Sequence, residues 1–168
     1  NSGTGDLSVS DLGSWNPGQV YDLTITLADP GASRWGFECT ILNGAGDSVG
    51  TLESLDANTQ TSTTGTRDYA KQTSTGTQIG TPDQGSWTVR WTAPAAATGD
   101  VTLYMTGNAA NGNFNNQGDY IYAISRTWTE GGASPAPMPL IAGATLQANY
   151  PNPFNPRTTL AYELAKDL

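Results

Sequence analysis

Residues 34–42 read RWGFECTIL, and the alternation in that stretch decides the fold. Trp35, Phe37, Cys39 and Ile41 take every second place. Successive side chains of a β-strand point to opposite faces, so this stretch presents one apolar face to a core. The same period recurs in YDLTITLAD, where Tyr21, Leu23, Ile25 and Leu27 share a face. It returns in SWTVRWTAP through Trp87, Val89 and Trp91, and in DVTLYMT through Val101, Leu103 and Met105. DYIYAISRTW is apolar on both faces from Tyr120 to Ile124, the pattern of a central strand. DLSVSDL, SVGTLES and RDYAKQT are weaker strand candidates.

Turn chemistry separates these runs at Asn16-Pro17-Gly18, Asp29-Pro30-Gly31, Asn43-Gly44, Pro82-Asp83 and Gly99-Asp100. About seven or eight short strands joined in this way describe an all-β, immunoglobulin-like antiparallel two-sheet sandwich. DANTQTSTTGTRD is expected as a polar loop or edge strand, and TGNAANGNFNNQGDY contains a Gly/Asn loop between two strands. After Trp128 the alternation stops at EGGASPAPMPL, a composition that suits an extended linker. The expected organisation is a sandwich over 1–130, a Gly/Pro-rich linker over 131–157 and a C-terminal strand within 158–168.

Composition narrows the function. The chain has 168 residues, a formal charge of -8 and a sequence pI near 4.1. That charge opposes binding to nucleic acid or to an anionic membrane surface, and no apolar run is long enough to span a bilayer. There is no histidine, so Ser-His-Asp, Cys-His and His-based zinc sites are excluded in their usual forms. Cys39 is the single cysteine and reads as a small buried hydrophobe. No nucleophile with a base, no phosphate loop and no cofactor fingerprint is present, so neither an enzyme nor a bound cofactor is expected.

Two sets of residues resemble known families. RWGFECTIL, GSWTVRWTAP and GDVTLYMTGNAANGNFNNQGDYIY together resemble the bacterial reeler-like domain, often described as a choice-of-anchor domain. That resemblance covers roughly Gly18 to Thr129 and implies a secreted immunoglobulin-like sandwich joined to a surface-anchoring or sorting tail. LQANYPNPFNPRTTLAYEL resembles the opening of the C-terminal sorting domain of type IX secretion, through Tyr150 to Pro156, Thr158-Thr159-Leu160 and Tyr162-Glu163-Leu164. This implies export across an outer membrane to the cell surface or beyond. The family's domain continues through further strands that this sequence does not contain, so the strand is expected to pair elsewhere.

Leu160, Tyr162 and Leu164 share one face of that strand. Inserted into a neighbouring copy, it would join subunits head to tail as a homopolymer. Met138, Leu140, Ile141, Leu146 and Phe154 are candidate apolar anchors along the linker. Docking of the tail on its own sandwich is the competing expectation. It would leave a monomeric adhesin or carbohydrate-binding module for surface polysaccharide, with Trp15, Trp35, Tyr69 and Trp128 as candidate platforms for sugar rings. Asn108, Asn111, Asn113 and Asp119 are weak candidates for calcium, competing with a plain turn-forming role. Asp47-Ser48-Val49 resembles a short O-glycosylation acceptor, which makes Ser48 a candidate modification site.

Overall fold

Each alternating stretch becomes a strand because its apolar parity finds a facing sheet. A computed structural model describes residues 3–131, 144–146 and 162–164, and the chain divides into two units, Asn1–Gly132 and Ala133–Leu168. The first unit holds β1 (Asp6–Val9), β2 (Ser14–Trp15), β3 (Val20–Ala28), β4 (Arg34–Leu42) and β5 (Thr51–Ser54). β6 (Thr59–Thr64), β7 (Arg67–Gln72), β8 (Gln84–Thr92), β9 (Val101–Ala110) and β10 (Tyr120–Glu130) complete it. Among the described residues no helix is long and apolar enough to cross a membrane.

One sheet runs β1-β3-β8-β5 and the other β2-β10-β9-β4-β7-β6, antiparallel throughout except for the short β2–β10 pairing. This is the immunoglobulin-like sandwich expected from the alternation, with the larger sheet extended beyond β4 as in variable-type domains. DLSVSDL, SVGTLES and RDYAKQT all supply strands, and the Thr-rich stretch forms β6, the outermost strand of the larger sheet.

The core lies between the sheets. Leu23, Ile25 and Leu27 of β3 and Trp87, Val89 and Trp91 of β8 face Trp35, Phe37, Cys39 and Ile41 of β4 and Val101, Leu103 and Met105 of β9. Fully burying an aliphatic or Phe side chain of this kind contributes about 1.5–3 kcal/mol. Trp91 meets Trp15 edge-on with ring centroids 5.8 Å apart and Trp128 at 6.1 Å, and Tyr21 stacks on it at 5.7 Å. Its indole N–H donates to the Val49 carbonyl at 2.9 Å. The indole N–H groups of Trp15 and Trp128 are buried without an acceptor, each a cost of about 1–3 kcal/mol that the surrounding packing offsets.

Two expectations change. Tyr120–Ile124 is not in a central strand: among the described residues β10 lies at the margin of the larger sheet, with the two-residue β2 alone beyond it. The stretch read as linker also contains a strand. In the second unit β11 (Ala144–Leu146) pairs antiparallel with β12 (Tyr162–Leu164), placing Leu146 opposite Tyr162 and Ala144 opposite Leu164. The strand within 158–168 therefore has a partner inside the tail itself.

Gly85 faces the core where a larger residue would collide: a Cβ there would lie 2.6 Å from Cγ of Trp35. Gly85→Ala should lower stability by about 1–3 kcal/mol in urea denaturation, the cost typical of overpacking. Gly44→Ala, with nothing within 4 Å of the added atom, should change it by less than about 0.5 kcal/mol.

Candidate functional site

β10 pairs with β9 from Tyr120 to Trp128, while its other side meets β2 only at Thr129 and Glu130. Among the described residues no strand pairs with that side of Tyr120–Trp128. An unpaired edge of this length presents a row of backbone donors and acceptors and is a template for another strand. The ends of β10 are held firmly. Trp128 is fully buried at one end. Near the other, the Gly5 N–H donates to the Tyr122 hydroxyl at 2.9 Å, and that hydroxyl donates to the buried Asp29 carboxylate. Between them Tyr122 and Ile124 are only half-buried on the inward face, while Ile121 is 57% exposed on the outward one. The inward face is incomplete because β1, at the matching margin of the opposite sheet, is four residues long.

The residues singled out from sequence separate into distinct environments. Trp15, Trp35 and Trp128 are 0–1% exposed, so no ring face is free to stack on a sugar and the expected platform is corrected to core. Their parity places them inward with Trp87 and Trp91. Tyr69 is half-buried and borders a dip on the outward face of the larger sheet beside Thr40 and Tyr104. Ser48 is half-buried, and its hydroxyl oxygen accepts the Asp68 N–H at 2.8 Å, so its established contact is structural.

The calcium candidates serve a turn. Oδ1 of Asn111 accepts the Asn113 N–H, Oδ1 of Asn113 accepts the Asn115 N–H, and Asp119 accepts the Asn111 N–H. Asn108 lies on β9 opposite Ile121, away from that ladder of loop contacts. Among the described residues no three His, Cys, Asp or Glu side chains converge as metal ligands. Leu146, Tyr162 and Leu164 fall in the β11–β12 ladder. Met138, Leu140, Ile141, Phe154 and Leu160 lie outside the described residues.

Sequence reading passed over Phe114, Tyr104 and Ile121. Phe114 is 89% exposed in the Gly/Asn loop and Tyr104 is 50% exposed on β9. A signal was present: Phe114 is the lone aromatic of that loop, and Tyr104 breaks the polar parity of VTLYMT.

Two ion pairs form among the described residues of the sandwich. The Arg90 guanidinium grips Asp22 at 2.7 and 2.9 Å, and its hydrogen bond holds the exposed Asp22 carboxyl below the usual carboxylate range. Lys71 lies 3.9 Å from Glu38. Burial, and then the Asp29 carboxylate, push the Tyr122 phenol up. Burial likewise drives the Cys39 thiol up to about 12. The nucleophilic thiolate is therefore suppressed at neutral pH.

No protein-family model and no curated protein matches the chain. Among solved structures it is similar to MyfA, the major subunit of Myf fimbriae from Yersinia enterocolitica, at 12% identity over 76% of this chain and 98% of that one, with a TM-score of 0.44. It is similar at 12% identity to the N-terminal domain of the Streptococcus gordonii adhesin Sgo0707, over 76% of this chain and 32% of that one, with a TM-score of 0.42. AvmM, which catalyzes macrocyclization in alchivemycin A biosynthesis, is similar at 9% identity over 79% of this chain and 90% of that one, with a TM-score of 0.46. Likenesses at this level carry no argument about function.

Cys39 should resist a thiol reagent at pH 8 in the folded protein and react fully once urea unfolds it, as followed by thiol titration. Because the folded thiol holds its proton to about 12 against 9.0 for the free group, stability should fall as pH rises between those values. Below pH 9 this group should contribute no pH dependence.

Proposed function

We propose that the protein is a non-enzymatic structural subunit of the cell exterior, polymerised by addition of the C-terminal strand of one copy to the β10 edge of the next. The observation that carries this reading is the mismatch at β10: a sequence apolar on both faces from Tyr120 to Ile124 occupies a sheet margin where, among the described residues, no strand lies beyond Tyr120–Trp128. Such an edge is ordinarily blunted by charge, proline or a cover. Within Tyr120–Trp128 the single charged residue is Arg126.

The donor has the required chemistry. In Thr158 to Leu164 the residues Leu160, Tyr162 and Leu164 alternate with Thr159, Ala161 and Glu163. Burying the three larger side chains at about 1.5–3 kcal/mol each, with main-chain hydrogen bonds added, is set against an association cost of about 4–15 kcal/mol. The β11–β12 ladder that would be exchanged is three residues long, and a two-stranded ribbon alone is marginal in water. A donor that enters the next copy without closing a ring generates an open fibre. The likeness of the tail to a type IX sorting segment supports export to the surface.

The pairing of β12 with β11 favours a second reading, in which the tail satisfies itself and the protein acts as a monomeric surface adhesin. Electron microscopy separates the two. The full chain should form fibres and a version lacking Tyr150 to Leu168 should remain as single particles; fibres from the shortened version would contradict the proposal. Ser125→Lys with Thr127→Lys, both on exposed positions of the β10 edge, should raise the concentration needed for assembly by about tenfold or more without unfolding the sandwich.

A further inference from the structure

The outward face of the larger sheet carries a groove that the polymer reading does not use. Strand register sets its rows. Thr40 of β4 lies opposite Tyr104 of β9, Tyr69 of β7 borders the same dip, and the next row is Lys71, Glu38 and Thr106. Beyond them come Gly36 and Asn108, then Arg34 beside Ala110. Thr40 is small between two tyrosines, and Gly36 leaves room for the Gln72 carboxamide to lie flat over the strand, where its Oε1 accepts the Phe37 N–H at 2.7 Å, so the face is low between taller neighbours. Two depressions of about 230 and 680 Å³ result, and Glu38 and Thr106 line both. From Thr40 to Arg34 the groove follows β4 for about 20 Å at the rise of a strand.

Three features of this surface point to a ligand. Phe114 overhangs the larger depression with its ring 89% exposed and its backbone at φ 60, an uncommon conformation for a bulky residue. Arg34 lies 5.8 Å from the centroid of that ring, which steadies one face and leaves the other open. At the opposite end the Thr40 hydroxyl is buried against the groove floor without a hydrogen-bond partner. A buried hydroxyl without a partner loses its hydration, which a ligand hydroxyl can restore.

We infer that this groove binds a neutral polysaccharide, with Phe114 and Tyr104 stacking on the apolar faces of sugar rings. Asn108, the Nε2 amide group of Gln72 and the Glu38 carboxylate line the same groove and supply donors and acceptors that recognise sugar hydroxyls, whereas the Asn113 amide is bonded within the loop. A chain of sugars fits the length of the groove better than one ring. Charge selects against polyanionic glycans: Glu38 and Lys71 offset each other within the groove, and the protein as a whole carries -8. Of the four candidate platforms excluded or placed above, Tyr69 borders the smaller depression and Trp35, 1% exposed, lies beneath the larger one, while neither Trp15 nor Trp128 belongs to this site.

Affinity electrophoresis of the full chain in gels cast with xylan, galactomannan or laminarin, beside an alginate gel, tests the assignment. Retardation in at least one neutral gel and not in alginate is expected. Phe114→Ala and Tyr104→Ala should each weaken it by about tenfold or more, the range in which loss of one stacked ring is read. Ile79→Ala, exposed elsewhere, should migrate as the unaltered protein. Thr40→Val should weaken retardation while leaving Tm unchanged or higher, an outcome that a hydroxyl with only a structural role would not give. No retardation in any neutral gel, retardation in alginate alone, or groove variants that bind as the unaltered protein would overturn the inference. Loss of fibre formation in Phe114→Ala with polysaccharide binding intact would do the same, since the groove would then be a contact between copies.

Discussion

The packing of Trp91 between Trp15 and Trp128 is the contact on which the arrangement of β10 depends. Trp91 belongs to β8 in the smaller sheet, whereas Trp15 and Trp128 belong to β2 and β10 in the larger one, so the three indoles fasten the sheets together at one corner. Two buried indole N–H groups without acceptors show that area and shape outweigh hydrogen bonding there. With Trp128 held in the core and Tyr122 tied to Asp29 and Gly5, β10 is fixed along the sheet margin. The edge that no described strand pairs with is therefore held in position from both ends of β10.

That margin gives the sandwich two surfaces of different character. The edge offers backbone hydrogen bonds and incomplete apolar cover, which a strand can use and a sugar cannot. The outward sheet face offers separated rings, amides and an unpartnered hydroxyl, which suit a hydroxylated ligand. A subunit that polymerises through one surface can display the other many times along a fibre, and repeated weak contacts then add through effective concentration.

Much of the fold was legible because strand parity is a local signal. Trp35, Phe37, Cys39 and Ile41 face inward as their spacing demands, and Trp87, Val89 and Trp91 do likewise. The place of β10 was not legible: apolarity on both faces reports what a strand needs, whereas its neighbours are set by the order of the sheet. The same limit explains the tryptophans. Trp15 and Trp128 stand at the ends of weak or polar stretches, so nothing local tells that they meet Trp91. Phe114 and Thr40 become informative only when register brings β4, β7 and β9 side by side and the loop after β9 folds over them. The β11–β12 pairing escaped notice because three-residue strands leave almost no periodic trace.

Hydrogen–deuterium exchange at the amides of β10, compared between dispersed and assembled full-length protein, bears most directly on the central claim. The account predicts protection gained on assembly between Tyr120 and Trp128 and across Thr158 to Leu164. Assembly that leaves the β10 amides unchanged while protecting β6 or β1 would place the joint on another edge and contradict it.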